Sequence, residues 1–188
     1  FSSYRFNSVE GSGKKGIALG GISYAYTLEA LTGLDEEYKL FKVATPHPFP
    51  EKLALKFLTG LDEVIVIEEL DPVIEKELIY LCGKYNLAVK IKGKITGNVQ
   101  IAGENSVESV KRVISDFFRI PVPELMQPEG TPALPVRPPV LCAGCPHRAS
   151  FYAVKQAMKG VKAVFSGDIG CYTLGNAKPL EMVDTCLC

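Results

Sequence analysis

Apolar positions in this chain fall into short blocks separated by longer amphipathic stretches. Gly16-Ile17-Ala18-Leu19-Gly20 is a short apolar block of the buried-strand type. Gly20-Gly21 predicts a tight turn, Ser23 an N-cap, and Tyr24 to Leu31 a helix. Lys39 to Ala44 reads as a second strand. Pro50 predicts a helix start, with the helix running to about Thr59. The β-branched run Val64-Ile65-Val66-Ile67 is the clearest strand and is ended by Glu68 and Glu69. Asp71 is then expected to cap, and Pro72 to start, a helix whose apolar positions Ile74, Leu78 and Leu81 follow helical spacing. Leu87 to Ile91 reads as a further strand. Ser106 to Phe118 reads as a helix with Val107, Val110, Val113, Ile114 and Phe117 on its apolar face.

Strands alternating with helices predict an α/β fold, a parallel sheet flanked by helices on both faces. Ligands of such sheets sit beyond the carboxyl ends of the strands, where Glu68 and Glu69 fall. The pair is either part of a site or a solvated edge. The stretch from Ile120 to Pro139 differs in kind, because it holds seven of the 13 prolines. Such a segment resists helix and sheet and acts as a semi-rigid linker. The expected organisation is a connector over 1–15, an α/β domain over 16–119, a linker over 120–139 and a second α/β domain beginning at 140. In that second part Arg148 to Met158 reads as helix, Val161 to Phe165 as strand, and Gly167 to Gly175 as the loop after it.

Composition narrows the class. The 188 residues are 47% hydrophobic and 22% charged, as in an ordinary globular chain. Twenty-one basic residues balance 21 acidic ones, so no basic stripe points to nucleic acid. The longest apolar runs, such as Val64 to Ile67, are too short for a membrane span. Six cysteines without a secretory feature favour reduced thiols, metal or redox use, and a cytoplasmic setting. The chain starts on Phe1 and ends on Cys188 inside an unfinished pattern, and is read as a piece of a larger protein.

Candidate chemistry concentrates near the end. Gly11-Ser12-Gly13-Lys14-Lys15-Gly16 has the letters of a dinucleotide fingerprint but precedes its strand, so it reads as a connector. Gly20-Gly21-Ile22-Ser23 has the right context for an anion at a helix start, and reads more simply as a turn. His47 lies in a proline-stiffened loop, and Cys82 reads as a buried core thiol. Cys142-Ala143-Gly144-Cys145 places two thiols close enough for one site. Three chemistries share that spacing: zinc, with His147 or Cys171 added; an iron–sulfur cluster, with Cys186, Cys188 or another donor; and dithiol exchange. Gly167-Asp168-Ile169-Gly170-Cys171 follows a predicted strand. Its glycines allow close backbone approach to a ligand, and Asp168 is placed to cap, to bond a cofactor ring or to touch a metal.

Leu141 to Arg148, Gly167 to Gly175 and Val183 to Cys188 together closely resemble α subunits of the indolepyruvate branch of the thiamine-diphosphate-dependent 2-oxoacid:ferredoxin oxidoreductases. Gly16 to Leu31, Thr45 to Pro50 and Val64 to Glu69 resemble the transketolase C-terminal-like domain of that family, so the resemblance covers nearly the whole chain. It implies that residues 140–188 begin a thiamine-diphosphate-binding domain. It implies CoA-dependent oxidative decarboxylation of an arylpyruvate, with electrons passed through iron–sulfur clusters to ferredoxin. It also implies a smaller β subunit as partner, and thiamine diphosphate, Mg2+ and a 4Fe-4S cluster as cofactors. Carried over by matching position, Cys142, Cys145 and Cys171 are the implied cluster ligands. Gly167, Asp168, Ile169, Gly170 and Tyr172 are the implied walls of the thiamine pocket.

Three parts of the family pattern do not occur in the chain: the pyrophosphate–magnesium motif, the ferredoxin-like cluster domain and the pyrimidine-binding domain. The chain alone is therefore expected to be inactive. Two rival readings stand beside the enzyme: a zinc-binding or metal-free interaction module, and a dithiol redox protein using Cys142 and Cys145.

Overall fold

Ile17 and Leu19 face one way from their strand and Ala18 the other, as period-two geometry requires. The computed structural model describes residues 1–122 and 133–187. It divides the chain into two compact units, Phe1–Gln127 and Pro128–Cys188.

In the first unit the elements run β1 (Ser8–Gly11), β2 (Lys15–Gly20), α1 (Ser23–Ala30), β3 (Tyr38–Val43), α2 (Glu51–Leu58), β4 (Glu63–Ile67), α3 (Val73–Lys84), β5 (Lys90–Lys92) and α4 (Val107–Phe118). The five strands form one sheet in the order β1-β3-β2-β4-β5. β2 pairs in parallel with β3 and with β4, and β4 with β5, so the parallel α/β sheet expected from the alternation is present. Ala18, Phe41, Val43, Val64 and Val66 bury one face against Ala54, Phe57 and Leu58 of α2 and Ile74, Leu78 and Leu81 of α3. Ile17, Leu19, Leu40, Ile65 and Ile67 bury the other against Val110, Ile114, Phe117 and Phe118 of α4. Each fully buried aliphatic or aromatic side chain contributes about 1.5–3 kcal/mol, so these two clusters are the unit's main source of stability.

Several local expectations need correction. The polar stretch read as a connector contains β1, which pairs antiparallel with β3 through Ser8↔Lys42 to Gly11↔Lys39. An edge strand only half buried carries no apolar alternation to read. Ser23 is the first helical residue of α1 rather than its cap, and it is fully buried. Pro50 and Pro72 each stand one position before their helices, and Asp71 supplies no side-chain cap to α3. Of Leu87 to Ile91, the last two residues are in β5, because strand pairing with β4 begins at Glu63↔Lys90. α4 begins at Val107, and Ser106, read as part of the helix, is instead its cap and forms a reciprocal capping box with Ser109.

The second unit contains α5 (Pro146–Ala157), β6 (Ser166–Asp168), a 3-10 turn (Thr173–Asn176) and β7 (Thr185–Leu187). β6 and β7 pair in parallel, with Gly167 opposite Cys186 and Asp168 opposite Leu187. Val161 to Phe165 is not a strand, and among the described residues no strand pairs with it. Val161 and Val164 are exposed. The core of this unit is small: Leu141, Phe151 and Met182, with Cys145, Phe165, Leu174, Leu180 and Val183 packed around them. Among the described residues no helix is long and apolar enough to cross a membrane. Pro123, Pro128, Pro132 and Cys188 lie outside the described residues.

Candidate functional site

The cysteine loop is shaped by three residues. Gly144 has φ 71°, which only glycine adopts without strain, and it lets the Cys145 N–H donate to the Cys142 carbonyl at 3.2 Å. Pro146 opens α5 with its φ already set, leaving Cys145 at the N-cap. Arg148, one turn in, reaches back: its Nε donates to the Cys142 carbonyl at 3.0 Å and its Nη2 to the Leu141 carbonyl. The guanidinium thus holds two consecutive carbonyls ahead of the turn, and fixes the loop that displays both thiols. Cys145 is half buried, with its Sγ 3.3 Å from Nδ1 of His147, whereas Cys142 is exposed.

The second loop leaves the carboxyl end of β6. Gly167 lies so close to Val183 that a Cβ would stand 3.0 Å from its Cγ1. Asp168 accepts from the Ile169 N–H at 2.8 Å, and its carbonyl accepts from Oγ1 of Thr173 at 3.1 Å. Gly170, at φ 128°, turns the chain and leaves Ile169, Cys171 and Tyr172 exposed. The 3-10 turn then lays Gly175 on the face of Phe151, where a Cβ would be 2.6 Å from Cζ.

The two loops meet through aromatic rings. His147 stands edge-on to Tyr172 with centroids 4.8 Å apart, and Phe151 lies 6.2 Å from Tyr172. Cys186 lies beside Gly167 across the strand pair, with its Sγ 3.6 Å from Thr173 Oγ1. The residues singled out in the sequence are thus brought into one neighbourhood, but their donor atoms are not brought to one point. Among the described residues no three His, Cys, Asp or Glu side chains gather as a metal site. Thiolates suit zinc or iron–sulfur chemistry. As the loops stand, Cys145 and His147 are the donors in direct contact. Arg148 and the His147–Tyr172 contact escaped the sequence reading, since an arginine bonding backbone carbonyls leaves no spacing signature.

At the carboxyl edge of the first unit, Glu68 is an internal cap. Its carboxylate accepts from the Ile74 N–H at 2.8 Å and the Glu75 N–H at 3.0 Å, which satisfies the start of α3 in place of Asp71. Burial raises its pKa above the usual carboxylate range, although those amide bonds oppose the rise. Glu69 accepts from the Asn105 N–H at 2.9 Å. The pair is therefore not a solvated edge; Glu68 is 5% exposed and engaged in holding the fold. Cys82 is half buried against the core, and burial raises its thiol pKa, as suits a structural thiol.

No protein-family model matches the chain. The indolepyruvate oxidoreductase subunit IorA of Thermococcus kodakarensis is 39% identical over 96% of this chain and 29% of its own length. The IorA subunit of Archaeoglobus fulgidus is 40% identical over 100% of the chain and 31% of its own. That of Methanothermobacter thermautotrophicus is 36% identical over 90% and 28%. The chain is homologous to one part of IorA. It spans 29% to 31% of the length of the Thermococcus and Archaeoglobus relatives. A solved structure described as "Split gene transketolase, inactive beta4 tetramer" is similar over 61% of this chain and 41% of its own. The TM-score is 0.46 and the identity 19%. The family resemblance read from the cysteine and glycine loops thus agrees with a homology to IorA that runs through both units.

Proposed function

We propose that this chain is a portion of an indolepyruvate oxidoreductase α subunit, and that its second unit supplies two of the loops around the cofactor. The whole enzyme would carry out CoA-dependent oxidative decarboxylation of an arylpyruvate, with ferredoxin as electron acceptor and a smaller β subunit as partner, in the cytoplasm. The single observation that carries the reading is the similarity to IorA, 39% identical over 96% of the chain in one relative and 40% over 100% in another. Thiamine diphosphate, held with Mg2+, supplies the electron sink for decarboxylation.

This chain's own residues would bind and orient. Gly167 and Gly170 bring backbone close to a ligand, and Ile169 and Tyr172 offer an exposed apolar and aromatic rim. Asp168 holds the Ile169 N–H through Oδ1, which steadies that rim, and its exposed carboxylate stands open to a ligand. Cys142, Cys145 and Cys171 are the proposed metal-binding thiols, on a loop pair already held together by His147 and Tyr172. For a 4Fe-4S cluster the thiols would have to draw closer than the described geometry places them.

The test is iron, acid-labile sulfide and zinc per chain on material purified without oxygen, alongside arylpyruvate-dependent ferredoxin reduction by the complete subunit pair. Iron with matching sulfide, lost together in Cys142→Ser and Cys171→Ser, supports the assignment. Zinc, or no metal, in an active pair would make these thiols structural. Absence of arylpyruvate turnover in the complete pair would sink the reading.

A further inference from the structure

The amino-terminal edge of the first unit's sheet carries a cleft of about 390 Å³ that the proposed reaction does not use. Six charged residues face it: Lys14, Lys15, Lys90 and Arg119 against Asp62 and Glu63. Glu63 is already neutralised, with Lys92 Nζ at 2.6 Å and Lys15 Nζ at 3.4 Å. Lys15 is also tied to the Phe117 carbonyl at 2.6 Å and lies over the rings of Phe117 and Phe118 at 5.0 Å. That leaves Lys14, Lys90 and Arg119 against Asp62. All four are exposed, and among the described residues none makes an ion pair. Three cations against one acid leave a surplus of two positive charges in a concave site.

The platform beneath them is rigid. The Asp62 N–H donates to the Lys14 carbonyl at 2.8 Å, and the Lys90 N–H to the Asp62 carbonyl at 3.0 Å. The mouths of β2, β4 and β5 are thereby laced in line, with Lys14 and Lys90 two strand spacings apart, about 9.5 Å. Long side chains from both ends can close on one anion. Arg119 ends α4 in the left-handed region, at φ 60° and ψ 41°. Glycine is the usual residue there, because a Cβ makes that conformation strained. Arg119 also lines the cleft, and the planar fork of a guanidinium matches phosphate oxygens.

We propose that this cleft binds a phosphate-bearing small molecule held by Lys14, Lys90 and Arg119. The volume suits a small ligand rather than a protein surface, since such sites run from about 300 to 1,000 Å³. The site lies on the first unit and stands independently of the reaction proposed above.

The decisive variant is Arg119→Gly, which relieves the backbone while removing the guanidinium. Calorimetric titration of the 188-residue chain with pyrophosphate and with ADP should give saturable binding. Arg119→Gly should weaken it about tenfold or more, as loss of a charge-assisted bond does, and should raise the melting temperature at the same time. Lys14→Ala with Lys90→Ala should weaken it similarly, and Asp62→Asn should strengthen it. Tighter binding of ADP would identify a nucleotide ligand, and equal affinities a bare pyrophosphate group; both support the site. Three results overturn it: no saturation at millimolar ligand, equal weakening by Lys52→Ala on the distant helix α2, or displacement at the same residues by a poly-glutamate peptide that binds more tightly. The last would make the cleft a protein dock.

Discussion

Replacing Glu68 with alanine should destabilise the first unit far more than an ordinary edge substitution. In the native chain the two oxygens of Glu68 satisfy the N–H groups of Ile74 and Glu75 at 2.8 and 3.0 Å, inside the protein. Alanine removes both acceptors and leaves two orphan donors at the start of α3. Loss of an N-cap costs about 0.5–2 kcal/mol, and each buried unsatisfied donor about 1–3 kcal/mol. Recovering the cost of burying a carboxylate offsets part of this, so about 2–4 kcal/mol is expected. At roughly 4 °C per kcal/mol for a unit of this size, the melting temperature should fall by about 8–16 °C. Circular dichroism at the helix band follows the first unit, which holds four of the five α-helices among the described residues. Hydrogen exchange at Ile74 and Glu75 reads the same loss locally. The sign with pH adds a second check. The pKa of Glu68 is raised by burial, so its contribution is complete below the unfolded pKa and is lost as pH rises through the folded value. The destabilisation by Glu68→Gln should therefore be larger at acid pH than at neutral pH. A loss under 0.5 kcal/mol for Glu68→Ala with unchanged exchange at Ile74 and Glu75 would refute the capping argument.

Glu63 should behave in the opposite sense. Burial pushes its carboxyl up, but hydrogen bonds and charge from Lys92 and Lys15 outweigh this and hold it below the ordinary value. Its stabilisation is present above the unfolded pKa and disappears as pH falls, so Glu63→Gln should flatten the acid side of a urea-midpoint profile. Gly175→Ala should unfold the second unit selectively, by about 1–3 kcal/mol, because its Cβ would stand 2.6 Å from the Phe151 ring. Near-ultraviolet signals of Tyr152 and Tyr172 would report the change. Arg148→Lys should raise the alkylation rate of Cys145 several-fold while leaving Cys82 unchanged. A single ammonium cannot hold the Leu141 and Cys142 carbonyls as the guanidinium fork does. Equal labelling of Cys145 in both proteins would show that the clamp does not set the loop.

What could be read from the sequence was what local chemistry dictates. α4 was legible because its apolar residues Val107, Val110, Val113, Ile114 and Phe117 keep helical spacing. β4 was legible because four β-branched residues in a row have few other uses. The reading failed where distant groups decide. β1 is polar and exists only because β3 is beside it. The cap of α3 lies back on the end of β4, six residues before Ile74, and not at the adjacent Asp71. Val161 to Phe165 is apolar enough for a strand but, among the described residues, has no strand to pair with. In the candidate site the cysteine and glycine loops stood out by composition. Their contact through His147 and Tyr172, and the clamp by Arg148, depend on three-dimensional placement that no residue spacing encodes.

The two edges of the first unit's sheet bear on how the protein behaves in concentrated solution. β1 is four residues long and ends at Gly11, whose φ is 78° and where any Cβ would strike the Tyr38 carbonyl. β5 is three residues long, with a lysine at each end. Neither offers a long, flat, apolar row of free N–H and C=O groups for a second molecule to extend. The aggregation hazard instead lies in the middle, in Val64-Ile65-Val66-Ile67, whose four residues are at most 1% exposed. Its accessibility is governed by how often the unit opens and not by how much protein is present folded. Conditions that make opening rarer should therefore keep preparations clear, and dilution adds to them by slowing the encounter of opened chains.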